Sequence, residues 1–341
     1  MLKLRGHEVS AGEKLQTVLR LDMGGLTHRG TLADGEAKRV GTDAPYEMPV
    51  TMICGAKPGK TVLITTCIHS GEYPGIPAVI RAARNIEPNK LQGNVILFHC
   101  VNTSGFWAKS HTEVPEDGFN LNSGYPGNAD GGVGARIAAW FVREIFPQVD
   151  FIMDFHSGSP YEIMTPLLFY PTAPAVTRES LAAAKALNMP YLLASTAQSG
   201  EYSYAANHMN IPGLLLELGY GGLCKDEWVQ TYYDRIFLLL EHLEMYKAAT
   251  DISAPKPKRI YKRTIYQTSE HDGLWYPQIR REQALKKGDL LGYVEEFFGN
   301  RIAEYRAKED GVVFYYTTRL AITKGDPLIA YGTADSMETV E

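Results

Sequence analysis

The chain has 341 residues, 45% hydrophobic and 21% charged, so it can bury a full core and is long enough for two domains. The formal net charge is -5 and no basic stripe is visible, which argues against a nucleic-acid partner. No window approaches the roughly 18 apolar residues of a membrane span, which argues against a membrane protein.

Residues 1 to about 45 are polar and turn-rich and are expected to form leading strands and a lid. From Val50 onward, apolar runs of strand length alternate with amphipathic stretches, the pattern of a βαβ sheet. Thr61 to Ile68 reads as a central strand, and Ile76 to Ile86 as its crossover helix with Ile76, Val79, Ile80 and Ala83 on one face. Asn94 to Val101 is the next predicted strand, followed by a helix from Gly134 to Phe146. Val149 to Phe155 reads as a strand, Ala175 to Leu187 as a helix and Gly213 to Leu218 as a strand. A long helix is predicted from Asp226, its cap, to Ala249.

The predicted organisation is a catalytic α/β domain over 1–252, a proline-bearing linker over 253–262 and a β domain over 263–341. The tail holds a weak repeat. Lys287-Gly288-Asp289-Leu290-Leu291 recurs as Lys324-Gly325-Asp326-Pro327-Leu328, each copy reading as a turn that feeds a short strand. Two related halves in a small β-barrel or sandwich account for it. The tail is expected to shape or cover the active-site mouth, or to mediate self-association into a homo-oligomer.

Three short segments carry the chemistry. His69-Ser70-Gly71-Glu72, Asp154-Phe155-His156-Ser157-Gly158 and Leu216-Glu217-Leu218-Gly219 each sit at the end of an apolar run that reads as a buried strand. Catalytic zinc needs three protein ligands and one open position. His-x-x-Glu places two ligands in one tight turn, and open α/β sheets bind ligands at the carboxyl edge of their strands. His69, Glu72 and His156 are therefore the candidate metal ligands, with Asp154 as a candidate partner orienting an imidazole. Zinc chemistry also needs a carboxylate to move the proton of water. Glu217 interrupts an otherwise apolar strand, where an unpaired carboxylate is costly, and is the candidate for that role. A structural ion pair is the alternative for it.

These segments occur in order with Asn120-Leu121-Asn122-Ser123-Gly124-Tyr125-Pro126-Gly127 between the first two. The ordered set resembles the succinylglutamate desuccinylase/aspartoacylase family, deacylase relatives of zinc carboxypeptidases, over about residues 45 to 250. The resemblance implies a mixed, mostly parallel central sheet flanked by helices, plus a small C-terminal β domain. It implies one zinc ion per chain on His69, Glu72 and His156, Glu217 as general acid/base, and hydrolysis of a small N-acyl amino acid or N-acyl amine. One position departs from the family pattern, because Ser123 stands where relatives carry a substrate-binding arginine. Lys109, His111 or Lys225 then has to supply the cation, or the substrate lacks that carboxylate. Asn122 remains as a polar contact to the substrate. The segment Gln198 to Tyr204, with Tyr202, reads either as pocket lining or as a plain helix start capped by Ser199.

Competing readings are a metallocarboxypeptidase, an esterase, and a metal-binding sensor or scaffold that lost catalysis with the arginine. Cys54, Cys67, Cys100 and Cys224 are scattered with no CxxC pair, and the first three read as buried small hydrophobes. Scattered thiols, and a start at Met1 to His7 without the apolar stretch of a secretory signal, make the cytoplasm the expected location.

Overall fold

The computed structural model describes residues 1–26, 28–29, 39–40, 45–247 and 258–340. A ten-stranded sheet forms its centre. In chain order its strands are β1 (Glu13–Leu21), β2 (Tyr46–Cys54), β3 (Lys57–Thr66), β4 (Gln92–Phe98) and β5 (Phe151–His156). They continue as β6 (Leu167–Pro171), β7 (Tyr191–Ser195), β8 (Gly213–Glu217), β9 (Lys258–Tyr261) and β10 (Met337–Val340). Across the sheet the order is β10-β9-β7-β6-β8-β5-β3-β4-β2-β1. Strands β4, β3, β5 and β8 are mutually parallel. Strands β6, β7 and β9 are parallel to one another, and β6 runs antiparallel to β8.

The parallel block is buried on both faces, which is why its strands read as continuous apolar runs rather than alternating ones. Within β3 the pleat sends Val62 and Ile64 to one face and Leu63 to the other, all fully buried. The first face packs on α1 (Gly75–Asn85), α4 (Thr177–Ala186) and α6 (Asp226–His242) through Val79, Ala83, Ala184, Ile236 and Leu240. The second packs on α3 (Val133–Trp140) and α5 (Glu201–Met209) through Ile137, Ala138 and Ala205. A short α2 (Thr103–Ala108) follows β4, capped by the Asn102 side chain. Cys54, Cys67 and Cys100 are buried free thiols, and Cys224 is exposed.

Three helix ends differ from the sequence reading. The predicted helix 134–146 is α-helical only to Trp140, then widens to a π turn over Phe141–Ile145 and tightens to a 3-10 turn over Phe146–Gln148. Pro147, with no N–H to donate, fits such an exit. Helix α6 stops at His242, because Glu244 takes the left-handed conformation (φ 57°). Its N–H then bonds Glu241 O, that of Met245 bonds Leu240 O, and buried Met245 folds back on the core, a Schellman stop. Residues 248–249 of the predicted helix lie outside the described residues. Asp226 is not the cap. Lys225 holds that position, and Asp226 and Glu227 lie in the first turn, at the positive end of the helix dipole.

The tail forms two β-sheets around Trp275, Leu291, Val294, Val313, Leu328 and Tyr331. Its repeat is structural. Gly288 and Gly325 both have positive φ (93° and 99°), and Asp289 and Asp326 each accept a backbone N–H three residues back, from Lys286 and Thr323. One turn feeds the strand Leu290–Glu295 and the other Pro327–Thr333, which lie in different sheets. The linker reading falls partly outside the described residues (253–257), whereas Lys258–Tyr261 is strand β9 of the central sheet. The two units also exchange strands. Tail strand β10 joins the central sheet, and Glu162–Met164 pairs with Gly311–Thr317 of the tail. At the start of the chain, Leu2–Leu4, His7–Val9, β1, His28–Arg29 and Arg39–Val40 are strands, and residues 27, 30–38 and 41–44 of the predicted leading segment and lid lie outside the described residues.

Candidate metal centre

The carboxyl ends of β3, β5 and β8 meet at one edge because these strands are parallel neighbours in register. Thr66 pairs with Phe155, and Glu217 with His156. Cys67 leaves β3 in the left-handed region (φ 59°), turning the chain into the His69–Glu72 loop. The Gly71 N–H is fixed on His111 O at 2.9 Å, and a Cβ at Gly71 would come within 3.1 Å of Pro160.

Three donors converge there. His69 Nδ1 lies 2.8 Å from Glu72 Oε1, and His156 Nδ1 lies 3.1 Å from Glu72 Oε2. The two rings meet edge to face, with centroids 4.9 Å apart. Ligand atoms of His69, Glu72 and His156 lie within 4.8 Å of one another, an arrangement able to hold a metal ion. Each imidazole is held from behind. His69 Nε2 is 3.1 Å from Asn120 Oδ1, and His156 Nε2 is 2.9 Å from Asp154 Oδ2. Asp154 Oδ1 in turn accepts from the Thr65 hydroxyl (3.2 Å). Occupying both Nε2 atoms turns both Nδ1 atoms toward Glu72, and oriented imidazoles of this kind are the rule at metal sites. His156 Nδ1 is buried and, despite its closeness to Glu72, makes no aligned hydrogen bond. A buried nitrogen left over in this way fits a metal position.

The electrostatics agree. Burial alone would raise the Glu72 carboxyl, but His69 and His156 outweigh it and hold it down at about 2. Burial would lower His156, yet Asp154 and Glu72 lift it well above the ordinary histidine value. Glu217 is pushed well above the usual carboxylate range by burial, with Glu72, Glu162 and Asp154 adding to this and His156 opposing it. Its Oε2 is buried without a partner. The register with His156 puts the two backbones about 5 Å apart on adjacent strands. Among the described residues Glu217 thus has no Lys or Arg partner and stands beside the cluster as an unpaired carboxylate.

The expected substrate contacts are more dispersed. Asn122 and exposed Ser123 sit in the loop ordered by Asn120, whose Oδ1 accepts the Asn122 N–H at 2.8 Å. A Cβ at Gly200 would meet Asn122 O at 2.8 Å, which ties this loop to the start of α5. Lys109 and His111 are not part of the cluster. They line an apolar cleft beside it, with the His111 ring against Tyr161. Lys225 lies over the rings of Trp228 and Tyr220. Tyr202 is only 3% exposed and packs in the core with Ala205, on the apolar face of α5. Ser199 is not the cap either. Gly200 is, and its N–H bonds the Ser203 hydroxyl at 2.9 Å.

Sequence reasoning passed over Asn120 as the brace on His69, although the Asn-x-Asn spacing offered it. Two other neighbours carry no local signal. Tyr232 of α6 donates to Leu218 O (2.8 Å) and touches His156 O, joining the two strand ends from beneath. Glu201, at the start of α5, is fully buried with neither carboxylate oxygen in a hydrogen bond of normal geometry. Burial and the nearby Asp154 charge push its carboxyl well above the usual range, against Thr65 and His156.

The family model of the succinylglutamate desuccinylase/aspartoacylase catalytic domain matches residues 58–243, more than half of the chain. The chain belongs to this family. Within the family it is similar to the N-alpha-acetyl-L-2,4-diaminobutyric acid deacetylase of Halomonas elongata, 28% identical over 291 residues, 82% of this chain and 84% of the relative. Among solved structures it resembles the product-bound ectoine utilization protein EutE (DoeB) of Ruegeria pomeroyi. That match has a TM-score of 0.80 at 25% identity and covers 96% of this chain and 97% of the other. A succinylglutamate desuccinylase/aspartoacylase of Rhodobacter sphaeroides shares the fold, with a TM-score of 0.78 at 22% identity over 98% and 99% of the two chains. Among the described residues no helix is long and apolar enough to cross a membrane.

Proposed function

We propose that this family member is a zinc-dependent deacylase that hydrolyses the amide of a small N-acyl amino acid or N-acyl amine, acting in the cytoplasm. The observation that carries the reading is the convergence of His69, Glu72 and His156, braced by Asn120 and Asp154, next to the unpaired carboxylate of Glu217. Zinc, when bound, brings the pKa of its water to about 7 and polarises the scissile carbonyl. Glu217 takes the proton of the attacking water and returns it to the departing amine, a role suited to a carboxyl raised by burial. Asp154 and Asn120 keep both imidazoles aimed, so no reorientation is needed during the reaction. Ser123 provides no cation for an α-carboxylate, so a substrate that carries one, such as the N-acetylated diamino acid named for the Halomonas relative and the first to try, has to be held through other groups.

The test is elemental analysis of the purified protein together with a screen of N-acyl amino acids and amines, N-acetyl-2,4-diaminobutyrate included. Zinc near one equivalent, with turnover abolished by Glu217→Gln at unchanged zinc content, is the expected result. Turnover that survives Glu217→Gln, or zinc-loaded protein inert toward every amide, would overturn the assignment.

A further inference from the structure

Two apolar features find no partner among the described residues of this chain, a protruding turn and a cleft. The first is convex. Between the strands Leu290–Glu295 and Arg301–Arg306 a tight turn holds Phe297 and Phe298 in solvent, 86% and 93% exposed. The turn is rigid. The Glu296 carboxylate accepts from the backbone N–H groups of Phe298 and Asn300 (2.9 Å each) and from the Asn300 side chain (2.6 Å). Glu296 and Asn300 also bond through their backbones, and Gly299 takes φ 84°. A loop with this much internal bonding pays little ordering entropy when its tip is buried.

The second feature is concave. A cleft of about 660 Å3 opens beside the His69–Glu72 loop, walled by Tyr73, Ile76, Phe106, Trp107 and Pro160. Each wall residue is only partly covered by the chain, and Phe106 meets Tyr73 and Trp107 edge to face at 5.9 and 5.1 Å. Exposed aromatic patches of this kind mark interaction surfaces.

We propose that the Phe297–Phe298 turn of one copy of this chain seats in the cleft of a second copy, in a reciprocal two-fold exchange. Charge agrees with shape. Glu295 and Glu296 flank the tip, whereas exposed Lys109 stands on the cleft rim. The next cation along the chain from the tip, Arg301, is drawn back over the Tyr293 ring (3.9 Å) and paired with Glu304. An acidic tip also disfavours an anionic lipid surface. Area agrees as well. An aromatic side chain buries about 150–250 Å2. Four phenylalanines in a two-fold exchange, with the cleft surface they cover, reach the roughly 1,200–2,000 Å2 of a stable interface. Because the cleft wall begins at Tyr73, next to Glu72, the partner's turn closes one side of the metal centre.

Sedimentation velocity on the full chain tests this. The wild type is expected to be dimeric at micromolar concentration. Phe297→Ser with Phe298→Ser, and separately Ile76→Glu, are expected to weaken dimerisation at least a hundredfold. The turn substitutions lie on an exposed tip, so an unchanged Tm separates lost docking from lost folding. A proximity test uses Cys224, the exposed native thiol that also lines the cleft. A bismaleimide is expected to link Phe298→Cys to Cys224 of a second copy, and the link should vanish when Cys224→Ser is added. A monomeric wild type at 100 µM overturns the proposal. So does a dimer indifferent to both sets of substitutions, a link that persists without Cys224, or phenylalanine-dependent flotation with phosphatidylcholine/phosphatidylserine vesicles in place of dimerisation.

Discussion

Removing the Asp154 carboxylate tests whether the braced imidazole matters. Asp154 is fully buried, 2.9 Å from His156 Nε2, with its other oxygen on the Thr65 hydroxyl. A buried hydrogen bond to a charged group contributes about 1.5–3 kcal/mol. In Asp154→Asn the amide oxygen can still accept from His156, and the NH2 can donate to Thr65 as that hydroxyl rotates. Only the charged part of the bond is lost, about 1–2 kcal/mol, or roughly tenfold in zinc affinity. Asp154→Ala loses the whole bond and frees the ring to turn, so about a hundredfold loss is expected, in keeping with the 10–100-fold effect of partners that hold metal-binding histidines. Competition with a chromophoric zinc chelator at pH 7.5 measures both. The graded order, wild type tighter than Asn and Asn tighter than Ala, is the expected signature. If Asp154→Ala binds zinc within twofold of the wild type, Asp154 does not aim His156 and the argument fails.

Acid sensitivity of the metal-free protein follows from Glu72. Its folded pKa is depressed, so its contribution to stability is present above its ordinary value of 4.5 and is lost as pH falls from there through about 2. Urea melts of the chelator-treated protein across that range should show this loss, and Glu72→Gln should remove it. Glu201 has the opposite sign. Its folded carboxyl is raised, so stability is lost as pH climbs from 4.5 toward the raised value, and Glu201→Gln should raise Tm more at pH 8 than at pH 5. An equal shift at both pH values would show that Glu201 is ionised in the fold. Finally, Ser123→Arg should increase kcat/KM for substrates with an α-carboxylate relative to those without one, and an unchanged ratio would mean that position 123 does not face the substrate.

Much of the catalytic framework was legible because its strands are buried on both faces. A run such as Thr61 to Ile68 leaves a strong apolar signal, and the first polar residues after each run mark the sheet edge where ligands gather. The tail repeat was legible for a comparable reason, since each copy needs glycine at a positive φ and aspartate closing the turn. Strands β6 and β7 were not picked out, and of helix α5 only a possible start near Ser199 was read. Tyr191–Ser195 is apolar but only five residues long, too short to tell a strand from a helix segment by periodicity, and α5 begins among serines and glycine that suit a loop equally well. The stop of α6 was missed because Glu244, a good helix former, takes a left-handed conformation that tertiary packing of Met245 and Tyr246 stabilises.

From residue types and spacing alone came the inventory: two imidazoles and two carboxylates on strand ends, a βαβ framework, a repeated β tail, and a family pattern with serine in place of arginine. Local chemistry determines such things, because strand burial, turn geometry and ligand type are each written within a few neighbouring residues. Only the folded chain decided which side chains meet. The parallel register of β3, β5 and β8 brings His69, His156 and Glu217 to one edge, Asn120 reaches the far nitrogen of His69, and Tyr202 turns into the core. Those contacts span tens of residues and depend on how strands align and helices pack, and no local pattern encodes that.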